Sequence, residues 1–153
     1  MIISVAEARD GAEPVVIATD GSESAEQAAV AGARVARRLG TKAVLVYVRP
    51  PIGPLGEPFY QEKLSEQMAY ARAAIDRAQT LIRQEECEAD AEILEGNPSE
   101  QVVELARARN APVIVVGSRG LGAVTGALLG SVSSGIIHRS DRPVLVVPRP
   151  AAN

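Results

Sequence analysis

The chain has no tryptophan, one phenylalanine and three tyrosines, so aromatic residues make up only 3% of it. A core drawn from such a composition is aliphatic, made of Ala, Val, Leu and Ile. The same scarcity argues against nucleic acid as a partner, because base-stacking binders need exposed aromatic platforms. Cysteine occurs once, as Cys87, which excludes an internal disulfide and cannot by itself build a metal site. Within "RQEECEAD" it reads as a surface or half-buried thiol rather than a reactive one. Histidine also occurs once, as His138. No Ser/His/Asp set or carboxylate cluster is spaced for nucleophilic or metal catalysis, and His138 reads as a structural or surface residue. No apolar run reaches transmembrane length and no signal-peptide pattern is present, so a cytoplasmic protein without a membrane partner is expected. A net charge of −3 leaves no global field to draw the chain to nucleic acid or an anionic membrane.

What is present is a regular alternation of short apolar runs and amphipathic stretches. The 153 residues, 46% hydrophobic and 23% charged, fit one globular domain with a real core. Residues 1–13 show no period and read as an N-terminal extension to a domain spanning 14–150. "PVVIAT" (14–19) is a strand of buried type. A helix then starts in "DGSESAEQ", where Asp20, Ser22 and Ser24 are all N-cap residue types and Ser24 with Gln27 has capping-box spacing. It runs to Leu39, with Ala28, Ala31, Val35 and Leu39 on one side, and Gly40 stops it. "KAVLVYV" (42–48) is the second strand, and "RPPIGPLGEP" (49–58) is an irregular connection. A helix over 61–86 carries Leu64, Met68, Ala71, Ile75, Ala78 and Ile82 at steps of three and four. "EADAEILEG" (88–96) is a third strand, polar enough for an edge. "NPSEQVVELARARN" is a helix with Pro98 in its first turn. "APVIVVG" (111–117) is the fourth strand, 131–140 a short helix and 143–148 the fifth strand. Continuous apolar strands alternating with helices predict a doubly wound α/β fold: one five-stranded parallel sheet with helices on both faces.

The segment "GSRGLGAVTGALLGS" (117–131) holds five of the thirteen glycines and leaves the fourth strand. In a doubly wound sheet ligands bind beyond the carboxyl ends of the strands, where strand order reverses. Between Ala111 and Pro150 the one acid, Asp141, faces Arg119, Arg139, Arg142 and Arg149; that stretch is +3 and the remainder −6. Gly117, Gly120 and Gly130 give a backbone that can wrap a polyphosphate, Ser118 and Ser131 offer hydroxyls, and Arg119 offers charge. The helix that begins at Ser131 supplies an anion-binding N-terminus. The plainer alternative is a flexible connection whose serines only cap a helix. A Walker P-loop is excluded, since no Lys occurs after Lys63, and the dinucleotide fingerprint would follow the first strand instead.

Residues and order together resemble the universal stress protein family, small Rossmann-like α/β proteins many of which bind ATP. The family signature is Gly, two residues, Gly, nine residues, then Gly and Ser or Thr. Here it reads Gly117, Ser118–Arg119, Gly120, residues 121–129, then Gly130–Ser131. The likeness covers residues 14–148, including "ATDGSESA" after the first strand. It implies a nucleotide site made of Ala18, Thr19, Asp20, Val48, Gly117, Ser118, Arg119, Gly120, Gly130, Ser131, Val132 and Ser133. In it Asp20 meets the ribose or adenine side, Val48 packs on adenine, and residues 117–120 and 130–133 hold phosphate and ribose. ATP with Mg²⁺ is the implied cofactor, cyclic AMP fits the same adenine and ribose subsites, and the family's usual homodimer pairs strand 143–147 with its mate. Each position also has a structural reading: Asp20 as an N-cap, Val48 as core.

The expected function is that of an ATP-binding stress-response regulator or sensor, with at most slow ATP turnover. An adenylate-forming or ATP-hydrolysing enzyme would carry its Ser-Gly-Gly phosphate loop after the first strand, where this chain has "TDGSES" with a single glycine. A dimeric scaffold that does not bind nucleotide is the remaining alternative, and the intact signature argues against it.

Overall fold

The computed structural model describes residues 13–119 and 129–149. The chain alternates strand and helix throughout: β1 (Val15–Ala18), α1 (Glu23–Leu39), β2 (Ala43–Arg49), α2 (Phe59–Gln84), β3 (Ala89–Glu95), α3 (Pro98–Ala108), β4 (Ile114–Gly117), α4 (Ser131–Arg139) and β5 (Val144–Val147). All strand pairs are parallel, in the order β3-β2-β1-β4-β5, so the winding reverses at β1 and β4. Right-handed crossovers in the two directions put helices on opposite faces. Val15, Ile17, Leu45 and Val115 pack with α1 and α2 on one face. Val16, Ala18, Val46, Ile114 and Val116 pack with α3 and α4 on the other. The doubly wound fold is as the sequence predicts, with β3 at one edge and β5 at the other.

Three local expectations are corrected. The N-cap of α1 is Ser22, whose Oγ accepts the Ala25 amide at 3.2 Å. The Ser24–Gln27 capping box therefore does not form, and Ser24 is buried inside the first turn. The buried stripe of α1 is Ala25, Ala28, Ala29, Gly32, Ala33 and Ala36, while Leu39 is exposed and Ala31 and Val35 lie at the margin. Small residues win that face because the helix sits close to the sheet: a Cβ on Gly32 would stand 2.6 Å from Cγ1 and Cδ1 of Ile17. Cys87 is buried in the core on the α1/α2 face, not half-exposed, and burial lifts its thiol above the ordinary value.

Helix α2 starts two residues earlier than its periodicity suggests and ends two earlier, where Glu86 turns the chain at a φ of 58°. Its buried residues are Ala71, Ala74, Ile75, Ala78 and Ile82, so only its later turns lie on the sheet. Arg49, at the end of β2, ties the earlier turns down: its guanidinium donates to Oε1 of Gln67 at 3.3 Å and pairs with Glu95 at 2.7 Å.

The Gly32–Ile17 approach makes a directional prediction. Gly32→Ala gains about 1 kcal/mol of helix propensity but overpacks the core by roughly 1–3 kcal/mol, so it destabilises the wild type. In an Ile17→Ala background, where the collision is gone, the same substitution should stabilise by about 1 kcal/mol. Urea denaturation of the four chains measures this reversal of sign.

Candidate functional site

The reversal between β1 and β4 opens a crevice beyond their carboxyl ends. Three pieces of chain meet there: the β1–α1 turn, the exit of β4 and the start of α4. Each is shaped by its own hydrogen bonds.

The β1–α1 turn is tightly made. Thr19 continues the strand, its N–H donating to Val46 O at 2.9 Å, and its Oγ1 accepts the Gly21 amide at 3.2 Å. Asp20 Oδ1 accepts the Ser22 amide at 2.9 Å. Gly21 has a φ of 84°, the left-handed region that a side chain disfavours. The carboxylate of Asp20 is thus fixed through one oxygen, and Oδ2 has no hydrogen bond among the described residues. Asp20 is thus not the N-cap, which is Ser22; it builds the turn ahead of the cap through one carboxylate oxygen.

Gly117 ends β4 directly against α1. A Cβ there would lie 2.5 Å from Ser24 Oγ and 2.7–2.8 Å from the Ser24 carbonyl group. Its bareness therefore serves helix packing, a reason the glycine spacing alone does not reveal. Ser118 then joins three elements. Its N–H donates to Val147 O at 2.8 Å, and its carbonyl accepts the Gly130 amide at 2.7 Å and the Ser133 hydroxyl at 3.1 Å. Those bonds bring Gly117–Arg119 and Gly130–Ser133 together at the base of the glycine crossover. Gly120, predicted to belong to the same loop, lies outside the described residues.

At the start of α4, the N-cap is Gly130, with φ −67° and ψ 163° and no side chain to cap the helix. That backbone is open to any residue. No acid stands in the first turn, and the buried Ser133 hydroxyl turns back to Ser118 O and Gly130 O. The hydroxyl of Ser133 is thus spent inside the protein, and what it shares with Ser131 and Val132 at the helix start is the main-chain N–H. Among the described residues the helix start has no side-chain cap and no acid in its first turn, and the helix dipole adds partial positive charge. Val132, 36% exposed, leaves this turn open.

Ala18 and Val48 face the side of the sheet that carries α3 and α4. Val48 pairs in register with Leu94 of β3, and both pack against that core from its margin. β1 ends opposite Val46, so Val48 stands beyond the last paired residue of β1 as an apolar floor. His138 is exposed in the last turn of α4, away from these groups. Among the described residues no group of three or more His, Cys, Asp or Glu could hold a metal ion, and no helix is long and apolar enough to cross a membrane.

Sequence reasoning missed Leu94, Ser24 and Tyr70, the last of which donates its hydroxyl to Asp20 O at 3.3 Å. The pairing of β2 with β3 was available as a signal for Leu94. The spacing marks Ser24 only as a capping residue and does not mark Tyr70, because each acts through a tertiary approach.

Residues 11–148 match the model of the universal stress protein family. A Thermus aquaticus protein, "Universal stress protein in QAH/OAS sulfhydrylase 3'region", is 35% identical over 134 residues, which cover 87% of this chain and 96% of that one. The structure of the universal stress protein from Archaeoglobus fulgidus in complex with dAMP superposes with a TM-score of 0.70 at 26% identity, covering 88% of this chain and 97% of that one. A universal stress protein crystallised in complex with cAMP gives a TM-score of 0.69 at 27% identity, over 92% and 99% of the two chains.

The Gly117 contact is testable without a ligand. Gly117→Ala should destabilise by about 1–3 kcal/mol, since the atoms it meets are largely backbone and cannot swing away. Ser24→Ala removes only the hydroxyl from that collision and should restore little of the loss. Thermal and urea unfolding of the single and double variants check both statements.

Proposed function

Because this chain belongs to the universal stress protein family, we propose that it binds an adenine nucleotide, ATP with Mg²⁺, and acts as a nucleotide-dependent stress-response regulator. The observation that carries this reading is the start of α4: an uncapped, acid-free helix N-terminus, fastened to the exit of β4, at the point where the sheet reverses. Two family structures hold dAMP and cAMP, which supports an adenine nucleotide as the ligand class.

In this reading the phosphates lie on the amides of Ser131, Val132 and Ser133, with Ser118 and Arg119 on the other side. Asp20 Oδ2 accepts a ribose hydroxyl, and the base rests on Val48 beside Ala18 and Thr19. The Mg²⁺ arrives with the phosphates, as it does in sites that lack a dedicated cage of carboxylates. Binding rather than turnover is the proposed activity, in keeping with a single histidine that is exposed on the far turn of α4. Occupancy then regulates by favouring one arrangement of the crossover over another.

Helix α4 offers a substitution that removes one amide together with the Ser131 hydroxyl, for which Ser131→Ala is the control that removes the hydroxyl alone. Ser131 is the first residue of the helix, where proline is well tolerated, and Gly130 already has the extended backbone that precedes a proline. Ser131→Pro should leave unfolding unchanged and weaken ATP·Mg²⁺ roughly tenfold or more, the worth of a hydrogen bond to a charged group. Isothermal titration with ATP·Mg²⁺ and with cyclic AMP reads the loss and ranks the two ligands. Absence of binding by the wild type would leave the scaffold reading.

The homodimer is proposed on the outer edge of β5. Its four residues, Val144–Val147, carry no charge, and Leu145 is 38% exposed. An uncharged apolar edge is a pairing hazard that an isologous dimer removes. Light scattering at micromolar concentration should give twice the chain mass of 16.0 kDa; a monomer mass overturns the dimer.

A further inference from the structure

Helix α2 does more than cover the sheet. Its Tyr70 reaches the β1–α1 turn, donating to the main-chain carbonyl of Asp20 at 3.3 Å. The hydroxyl also limits the space at Gly21, where an added Cβ would lie 3.2 Å from Tyr70 Oη, Ala74 Cβ and Arg77 Nη2 alike. Behind it, the ring is set by Tyr47 of β2, with centroids 6.1 Å apart and planes tilted by 59°. Tyr47 stands next to Val48 in the chain but on the opposite face of the sheet. The acid of the turn is therefore held from two sides: Ser22 fixes its carboxylate, and Tyr70 fixes its carbonyl.

We propose that Tyr70 is a positioning residue for Asp20, setting the direction in which the free carboxylate oxygen meets the ribose hydroxyls of a nucleotide. This rests on the nucleotide-binding reading above. Tyr70 touches no ligand itself; it acts through the Asp20 main chain, from the face of the sheet opposite to Val48. The proposal separates sugar recognition from phosphate recognition, because the amides of α4 have no contact with Tyr70. A loss of Tyr70 contacts thus shows only in ligands that carry a ribose.

The test compares ATP, 2′,3′-dideoxy-ATP and inorganic triphosphate by isothermal titration against wild type, Tyr70→Phe and Gln67→Ala. Gln67 ties the same helix down through Arg49, one turn earlier, without touching the Asp20 turn, so its variant controls for loosening of α2. Wild type should prefer ATP over the dideoxy analogue by roughly tenfold, the worth of a hydrogen bond to a carboxylate. Tyr70→Phe should shrink that preference about three- to tenfold and leave triphosphate affinity unchanged. Gln67→Ala should keep the preference intact. A Tyr70→Phe chain with the wild-type preference overturns the proposal, as does an equal loss for triphosphate or for Gln67→Ala. If wild type binds ATP without preferring its ribose hydroxyls, Asp20 has no sugar contact to position and the proposal fails while nucleotide binding stands. If wild type binds no nucleotide, the functional reading itself has failed and this inference falls with it.

Discussion

Helix α1 lies against the sheet at backbone distance, and the rest of the site follows from that approach. Two glycines permit it from opposite sides: Gly32 on the helix, over Ile17 of β1, and Gly117 at the end of β4, under Ser24. With either position filled, α1 would have to lift away. Its first turn could then no longer lie between β1 and β5, where Ser24 Oγ donates to Val147 O at 3.4 Å and stands 3.5 Å from the Arg119 amide. The β1–α1 turn would lift too, carrying Asp20 with it. Close packing of small residues here sets the placement of polar groups, which is how an aliphatic core without tryptophan can specify a site.

The same constraint explains where the sequence was readable. Alternation of apolar runs with helical periods is a property of local pattern, so the parallel sheet, the edge position of β3 and the connection at 49–58 were legible, except that Arg49 still belongs to β2. The buried face of α1 was not. Periodicity favours the larger apolar residues Val35 and Leu39, whereas a helix seated this close buries Ala25, Ala29, Gly32 and Ala36. Cys87 was misplaced for a related reason: its charged neighbours suggest a surface, but the chain turns inward there after α2 and enters β3.

The site was legible as a set of positions more than as a set of roles. The signature spacing locates the exit of β4 and the start of α4, and the structure joins them through Ser118. It does not say that Gly117 packs bare against Ser24 of a helix, or that the Ser133 hydroxyl is used internally. Those roles depend on which atoms approach across the fold, and no spacing rule carries that. Tyr70 is the extreme case, separated by fifty residues from the carbonyl it holds.

Four helices begin at the carboxyl end of the sheet; α2 follows Pro58 without a capping side chain but keeps Glu62 in its first turn. α1 opens with Ser22 as its cap, Asp20 on the Ser22 amide, and Glu23 and Glu26 in the first turn. α3 opens with Asn97, whose side chain accepts the Glu100 amide at 3.2 Å, and with Glu100 itself in the first turn. Each of those N-termini has its positive end answered by protein groups. α4 opens with glycine, no capping side chain and no acid, in the one third of the chain that carries net positive charge. A glycine cap leaves a helix start less stable than a Ser, Asp or Asn cap by about a few tenths of a kcal/mol. An anion bound there, as proposed, would offset that deficit, since its oxygens would take the place of the missing acceptors. In the proposed nucleotide-binding reading, the stability given up at α4 becomes binding energy for a phosphate, available only while the protein itself supplies no substitute.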